Sequence, residues 1–253
     1  MKIIRKIYTF YGLIVFLGIM LMIFPFFWLY IRFKSLERYA YELYQFWGTS
    51  LFWLIGMPIN KVYKGKLQKD KQYLFVPNHS SYLDIPAVGG GPFAMLFLGK
   101  IELVKIPVFG YIYKKLNIIV DRKNPRSRKK AMDDCRESLD RGYNLAIFPE
   151  GTISKQSPEL LPFKDGAFLL AIEKGIPIVP VTLPYNWKIL PGHHGDFTLR
   201  WHKNMVVYHE PIHTNDLTLK DIEKLKIQVH NVIQEEMYAR NNMAFHVEPE
   251  SKK

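Results

Sequence analysis

The hydrophobic positions of this chain divide it into a nearly uninterrupted apolar N-terminal part and an alternating remainder. Residues 7–31 carry no charged side chain, and residues 39–59 carry only Glu42. A helix as long as the first segment reaches roughly 37 Å, against about 30 Å for the hydrocarbon core of a bilayer. The pattern therefore predicts a membrane-embedded pair of helices within residues 1–59.

The charges that flank the first apolar segment leave its arrangement in the bilayer open. Basic residues stand on both sides, so they give no bias of orientation; they are Lys2, Arg5, Lys6, Arg32, Lys34 and Arg38. The pair either spans the bilayer or enters and returns on the same side, with Pro25 as a possible kink. A buried soluble hairpin is the remaining alternative. Trp47 and Trp53 favour the lipid interface.

From residue 60 onward, short apolar runs of strand length alternate with helical patterns. We predict strands at 62–66, 73–76, 94–98, 118–121, 145–148, 178–183 and 205–208. Helices are predicted to begin near 85 and to span 108–115, 127–141, 163–174 and 219–237. This interleaving predicts an α/β fold with a largely parallel mixed sheet flanked by helices. Residues 60–245 would form that domain, and residues 246–253 a polar tail.

The composition shows a strong excess of positive charge and a single cysteine. The formal net charge is +12, and 48% of the residues are hydrophobic, which excludes wholesale disorder. Excess positive charge calls for an anionic partner, and the apolar N-terminal part favours lipid over nucleic acid. The single cysteine, Cys135, excludes an intrachain disulfide and lacks any metal-ligand spacing.

The segment NHSSYLD, residues 78–84, follows a strand-like run and places His79 five positions before Asp84. On one continuous helix such residues lie about 140° apart, so the pair must straddle a turn. Pro86 supports this, because proline is tolerated only in the first helical turn. A histidine oriented by a carboxylate can act as a general base. The alternative is that Asp84 is an N-cap, or forms a capping box with Ser81.

Two further motifs stand at predicted strand ends. In FPEGT, residues 148–152, Pro149 ends the strand and Gly151 permits a turn whose N–H groups can face an anion. The alternative is an ordinary loop with an exposed Glu150. In IIVDR, residues 118–122, Arg122 follows a strand, where α/β folds place their ligands and a guanidinium can bind phosphate.

Taken in order, NHSSYLD, the lysine of LGK, IIVDR, FPEGT and GIPIVPV resemble the glycerolipid acyltransferase family, of the bacterial 1-acyl-glycerol-3-phosphate acyltransferase type. The resemblance covers roughly residues 61–183. It implies that His79 is the general base and Asp84 its orienting carboxylate. It also implies the substrate-binding residues: Lys100 and Arg122 for the acceptor phosphate, with Glu150, Gly151 and Thr152 around the acceptor and the oxyanion.

Two positions depart from the pattern of that family. Ile153 stands where the family commonly has an arginine, and Asn117 where it commonly has a glycine. The missing arginine weakens the predicted clamp on the phosphate. Lys155 or Lys164 would compensate for it.

The resemblance further implies a reaction and its partners. An acyl thioester of coenzyme A or acyl carrier protein would donate its chain to 1-acyl-glycerol-3-phosphate, giving phosphatidic acid. No metal or bound cofactor is implied, the bilayer is a partner, and nucleic acid is not. The catalytic domain would lie on the cytoplasmic face of the membrane. The alternatives are another lysolipid acceptor, a non-catalytic membrane-docked lipid-binding protein, or a lipid hydrolase without the GxSxG motif.

Overall fold

A mixed sheet forms the centre of the computed structural model, which describes residues 2–192 and 197–243; the predicted polar tail lies outside them. The strands are β1 (Ile59–Tyr63), β2 (Leu74–Pro77), β3 (Met95–Lys100), β4 (Ile118–Val120), β5 (Asn144–Ala146), β6 (Ile178–Thr182) and β7 (Asn204–Tyr208). They pair in the order β1-β7-β6-β2-β5-β3-β4. Only β6 and β7 are antiparallel. The predicted α/β class with a largely parallel mixed sheet is confirmed.

Eight α-helices surround this sheet in the part of the chain that the structure describes. They are α1 (Lys2–Arg32), α2 (Glu37–Leu54), α3 (Asp84–Gly89), α4 (Phe109–Leu116), α5 (Pro125–Asp140), α6 (Gly166–Lys174), α7 (Asn186–Ile189) and α8 (Ile222–Arg240). The start of α5 follows from its sequence: Pro125 occupies the first turn, and the Asn124 side chain accepts hydrogen bonds from the Arg126 and Ser127 amides. That cap places α5 directly after β4.

Several predicted boundaries are wrong by a few residues, and local geometry explains two of them. The second apolar segment is helical only to Leu54, because Gly56 adopts a φ of 73° and turns the chain into β1. The first strand was predicted at 62–66 and lies at Ile59–Tyr63. Its pairing with β7 sets this register, with Ile59 opposite Asn204 and Tyr63 opposite Tyr208.

The two N-terminal helices pack against the α/β domain and share its core. Phe27 of α1 and Trp47 and Phe52 of α2 are buried in the same hydrophobic cluster as Phe75 of β2. The chain remains helical through Pro25. Among the described helices, only α1 is long and apolar enough to cross a membrane. Helices α1 and α2 are therefore part of the folded core as well as an apolar appendage.

One side of α1 stays exposed although it is apolar. Residues spaced three and four apart form this stripe, namely Ile3, Ile7, Phe10, Ile14, Leu17 and Leu21, each at least 43% exposed. The opposite side contains buried residues such as Met20 and Phe27. A helix that is apolar on a solvent-exposed side as well as on its packed side marks a surface that meets lipid or protein. We call this set of six residues the α1 stripe.

Candidate active site

The predicted site residues converge because their strands are parallel. His79, Lys100, Arg122 and Glu150 stand at or just after the carboxyl ends of β2, β3, β4 and β5. Parallel strands end at the same edge of a sheet, which is where open α/β folds bind ligands. At this edge His79, Lys100, Arg122 and Thr152 line a cavity of about 170 Å³. We call it the catalytic cavity.

The turn between β2 and α3 brings the His79 imidazole against the Asp84 carboxylate. His79 Nδ1 lies 2.9 Å from Asp84 Oδ2. The same oxygen accepts hydrogen bonds from the amides of Ser80 (2.6 Å) and Ser81 (2.8 Å), and the Asp84 side chain is fully buried. Two backbone donors and the imidazole therefore fix the carboxylate, and the carboxylate in turn fixes the ring. The pair straddles a turn, as the five-residue spacing predicts.

The alternative of a capping box for Asp84 is met only in part. The Ser81 amide donates to the Asp84 carboxylate, which is one half of such a box. The reciprocal half is missing, because the Ser81 hydroxyl accepts from the Leu83 amide at 3.1 Å and donates to the Leu190 carbonyl at 2.7 Å. The carboxylate therefore shapes the turn and binds the imidazole at once.

Asn186 completes this arrangement, and the sequence analysis missed it. Its Nδ2 donates to Asp84 Oδ1 at 2.8 Å, and the residue is fully buried. Asn186 opens α7, a short helix after β6, and β6 lies beside β2 in the sheet. A polar residue shortly after a buried parallel strand is the signal that could have found it.

The backbone of His79 is held from the FPEGT loop. Its amide donates to Glu150 Oε1 at 2.7 Å, and its carbonyl accepts from the Ser154 amide at 2.8 Å. Its ring stacks on Phe148, with centroids 4.2 Å apart. Because Nδ1 faces Asp84, Nε2 is the ring nitrogen left for a proton from a molecule in the catalytic cavity.

Glu150 is buried, which rules out the exposed loop residue of the alternative interpretation. Its two oxygens accept from the amides of His79 and of Leu161, the latter at 3.0 Å. Burial raises the pKa of Glu150 to about 7, although both amides lower it. The residue does not line the catalytic cavity. Glu150 holds the backbone of the His79 loop, and its part in shaping the acceptor region stays a prediction.

We expect the raised pKa of Glu150 to make stability depend on pH. Between its ordinary value of 4.5 and about 7, the folded chain keeps a proton that the unfolded chain has released. The contribution of this carboxyl to stability is therefore complete below 4.5 and is lost as the pH rises to about 7. Relative to Glu150→Gln, wild type should lose up to about 3 kcal/mol of unfolding free energy over that window. Denaturant unfolding at a series of pH values measures the difference, and a constant difference would refute the assignment.

Arg122 and Gly151 contact each other across two strand ends. The Arg122 guanidinium donates to the Gly151 carbonyl, and burial lowers the Arg122 pKa. Gly151 adopts a φ of 71°, and its amide donates to the Phe148 carbonyl at 3.2 Å. That amide is engaged in the turn, so the predicted oxyanion donors near Gly151 would be other amides of this loop. The next two amides, of Thr152 and Ile153, belong to residues that line the catalytic cavity.

The two departures from the family pattern have distinct settings. Lys155 lines the catalytic cavity together with Ile153, whereas Lys164 lines a neighbouring cavity of about 260 Å³. Of the two predicted replacements for the missing arginine, Lys155 is therefore the one beside His79. Asn117 connects β3 to α4: its Oδ1 accepts from the Phe97 amide at 2.8 Å, and its Nδ2 donates to the Tyr113 carbonyl at 3.1 Å.

A larger apolar cavity adjoins the catalytic cavity on the side of the N-terminal helices. Its volume is about 470 Å³, and it shares Tyr82, Ile85, Lys100 and Leu103 with the catalytic cavity. Its other walls include Phe16 of α1 and Trp47 of α2. The site thus combines a small basic cavity around His79 with a contiguous apolar volume that faces α1 and α2.

Comparison with known proteins identifies relatives of this chain. A family model described as Acyltransferase matches residues 59–184. The 1-acyl-sn-glycerol-3-phosphate acyltransferase of Limnanthes douglasii is 31% identical over 231 residues, covering 88% of this chain and 75% of that protein. The chloroplastic 1-acyl-sn-glycerol-3-phosphate acyltransferase BAT2 of Brassica napus is 32% identical over 179 residues, covering 68% of this chain. The chain matches 47% of the Brassica protein, about half its length.

A solved structure agrees with the fold. The crystal structure of the 1-acyl-sn-glycerophosphate acyltransferase from Thermotoga maritima superposes with a TM-score of 0.77. It covers 96% of this chain and 100% of that one, at 23% sequence identity, which supports a shared fold. Together with the sequence relatives, the family model shows that this chain belongs to the glycerolipid acyltransferase family.

Proposed function

We propose that this protein transfers an acyl chain from a thioester to the free hydroxyl of 1-acyl-glycerol-3-phosphate, giving phosphatidic acid. The observation that carries the proposal is the His79–Asp84 pair, 2.9 Å apart, in a cavity that Lys100 and Arg122 also line. A base beside cationic groups suits an acceptor that carries both a hydroxyl and a phosphate. The relatives named for this acceptor support the same choice.

In the proposed mechanism His79 is the general base. Nε2 accepts the proton of the acceptor hydroxyl while its oxygen attacks the carbonyl carbon of the thioester. Asp84 holds the imidazole tautomer and stabilises the cation that develops on it. The tetrahedral intermediate collapses, the carbon–sulfur bond breaks, and His79 returns the proton to the leaving thiolate. The acceptor oxygen is the nucleophile, so no covalent acyl-enzyme is formed.

The developing oxyanion needs donors close to the thioester carbonyl. The amides of Thr152 and Ile153 are our candidates, because both residues line the catalytic cavity and the Gly151 amide is already engaged. Glu150 holds the His79 backbone next to them. The scheme requires no metal and no bound organic cofactor.

The donor is a thioester of coenzyme A or of acyl carrier protein. Both carry negative charge, and the start of α5 presents exposed basic side chains that attract such donors: Lys123, Arg126, Arg128 and Lys129. The apolar cavity next to the catalytic cavity offers room for hydrocarbon from one of the two substrates.

The apolar α1 and the family membership indicate membrane association. We infer that α1 and α2 enter one leaflet and return, with the catalytic domain on the cytoplasmic face. The contacts of α1 with the domain support this: the Thr9 hydroxyl accepts from the Leu199 amide at 2.9 Å, and Phe24 packs on Tyr111. Because these contacts lie along most of α1, a fully spanning helix would draw the α/β domain into the bilayer.

Removing the Arg122 guanidinium should damage recognition of the acceptor more than recognition of the donor. We expect Arg122→Ala to raise the KM for 1-acyl-glycerol-3-phosphate about ten- to a hundredfold, because a charge-assisted bond to phosphate contributes roughly 1.5 to 3 kcal/mol. Arg122→Lys should recover only part of the loss, since lysine lacks the planar fork. Steady-state kinetics with the acceptor and the acyl thioester varied separately measure both KM values.

A panel of acceptors decides whether phosphate is the group that Arg122 recognises. Lysolipids with phosphate, larger head groups or no phosphate are compared by mass spectrometry of the products. Arg141→Ala is the matched control, because Arg141 is exposed just after α5 and does not line the catalytic cavity. The assignment is wrong if Arg122→Ala loses the same fraction of activity with phosphate acceptors as with neutral monoacylglycerol, and if added salt causes the same loss in wild type. Arg122 would then be a membrane-surface residue, and the assigned acceptor would be overturned.

A further inference from the structure

Tyr113 places a buried hydroxyl without a hydrogen-bond partner at the catalytic cavity. The side chain is fully buried on α4, and it is one of the residues that line this cavity. Its hydroxyl forms no hydrogen bond with any described residue. Buried hydroxyls are almost always bonded, because an unpaired one loses its bonds to water without replacement. An unpaired donor at the wall of a binding cavity therefore suggests that a ligand supplies the missing partner.

The hydroxyl lies next to the two predicted phosphate-binding residues. A Cβ atom added to Gly99 would come within 1.5 Å of the hydroxyl oxygen, so glycine at this strand position leaves the space that Tyr113 occupies. Gly99 immediately precedes Lys100 at the end of β3. The Tyr113 ring is held by Phe109, whose centroid is 5.2 Å away. The phenol is thus fixed at the Lys100 and Arg122 side of the cavity.

We propose that the Tyr113 hydroxyl donates a hydrogen bond to the acceptor phosphate, as a third recognition group beside Lys100 and Arg122. This inference rests on the proposed function, because it assumes a phosphate-bearing acceptor in the catalytic cavity. The phenol would supply a donor in a cavity where Ile153, which also lines it, has none in its side chain. The phosphate would then be recognised by two cations and one neutral donor.

The surroundings of Tyr113 keep the phenol protonated and able to donate. Burial raises the pKa of Tyr113, and this effect exceeds the opposite influences of the Arg122 charge and of the Lys100 backbone N–H. A neutral hydroxyl donates to a phosphate oxygen at any pH at which the enzyme is folded. The contribution of Tyr113 should therefore be independent of pH across the neutral range.

The test is Tyr113→Phe, which removes one oxygen and keeps the ring. We expect kcat/KM for 1-acyl-glycerol-3-phosphate to fall about ten- to a hundredfold, the range for a hydrogen bond to a charged group. Transfer to neutral monoacylglycerol should change by no more than about twofold. The melting temperature should stay the same or rise, because the lost hydroxyl has no partner in the folded protein.

Tyr44→Phe is the matched control. Tyr44 is also buried with an unpaired hydroxyl, but it packs between Trp47 and Phe97 and does not line the catalytic cavity. Its variant should keep wild-type kinetics with every acceptor. Two results would overturn the proposal for Tyr113: an equal fall in kcat/KM of Tyr113→Phe with phosphate and neutral acceptors, or wild-type kcat/KM with both. Either result would leave the acyltransferase assignment intact. A wild-type enzyme that prefers acceptors without phosphate would instead overturn the proposed function, and the Tyr113 proposal with it.

Discussion

His79→Ala should abolish acyl transfer while leaving the fold and membrane binding intact. The imidazole is the only group for which the proposed mechanism has no substitute, because Nε2 must accept the proton of the attacking hydroxyl. Loss of a general base typically costs about 10²- to 10⁴-fold, and more when proton transfer is essential. The two backbone bonds of His79, to Glu150 and Ser154, do not involve the side chain and should persist.

The rate of the purified variant with saturating thioester and acceptor measures this effect, and melting temperature reports the fold. His213→Ala, an exposed histidine after β7, is the control and should retain wild-type activity. An assignment of His79 as the base is wrong if the alanine variant keeps more than half of the wild-type rate.

Asp84→Asn separates orientation of the imidazole from capping of the turn. An amide keeps one oxygen and replaces the other with an NH₂ group, so it loses either the bonds from the Ser80 and Ser81 amides or the bond from Asn186, and some stability should be lost. Activity assayed well below the melting temperature should nevertheless fall nearly as far as in His79→Ala. If activity at that temperature is close to wild type and only the melting temperature drops, Asp84 is a structural residue of the turn.

The second large effect is expected on the α1 stripe. Replacing Ile7, Phe10, Ile14 and Leu17 together with glutamine should release the protein from anionic lipid vesicles while preserving the helix. Burying each apolar side chain contributes about 1 to 2 kcal/mol, so four replacements should weaken partitioning about a thousandfold or more. Vesicle sedimentation measures the partitioning, and far-UV circular dichroism reports helicity.

Substitution is a better test of membrane binding than removal of residues 1–59. Phe27, Trp47 and Phe52 belong to the core of the α/β domain, and removing them would expose it. The control carries glutamine at Leu219 and Ile227, exposed apolar residues near and on α8, far along the chain from α1. If the α1 variant sediments with vesicles as wild type does, the stripe does not bind the membrane.

Much of the site could be predicted from sequence because its parts are local motifs at the ends of parallel strands. His79 and Arg122 each follow a recognisable apolar run, and parallel pairing brings such ends together, whereas Lys100 was implied only by the family resemblance. Pro86 was sufficient to place the start of α3 near Asp84. These inferences depend on backbone rules that act within a few residues.

The features that sequence analysis missed depend on which elements are neighbours in space. Asn186 reaches Asp84 only because β6 lies beside β2. The Tyr113 hydroxyl has its place beside Lys100 only because Gly99 leaves room for it at the end of β3. The burial of Glu150 was not foreseen, because its carboxylate turns inward to two amides and no pattern of hydrophobicity reports that direction.

The central claim is tested most directly by incubating the purified wild-type protein in lipid with an acyl thioester, with and without 1-acyl-glycerol-3-phosphate. Release of free thiol and formation of phosphatidic acid are followed together. We expect one thiol per phosphatidic acid, dependence of thiol release on the acceptor, and loss of both signals in His79→Ala. If thiol and free fatty acid are released without any acceptor, the protein is a hydrolase. If no thiol is released under any condition, it is a lipid-binding protein. Either result would contradict acyl transfer by this site.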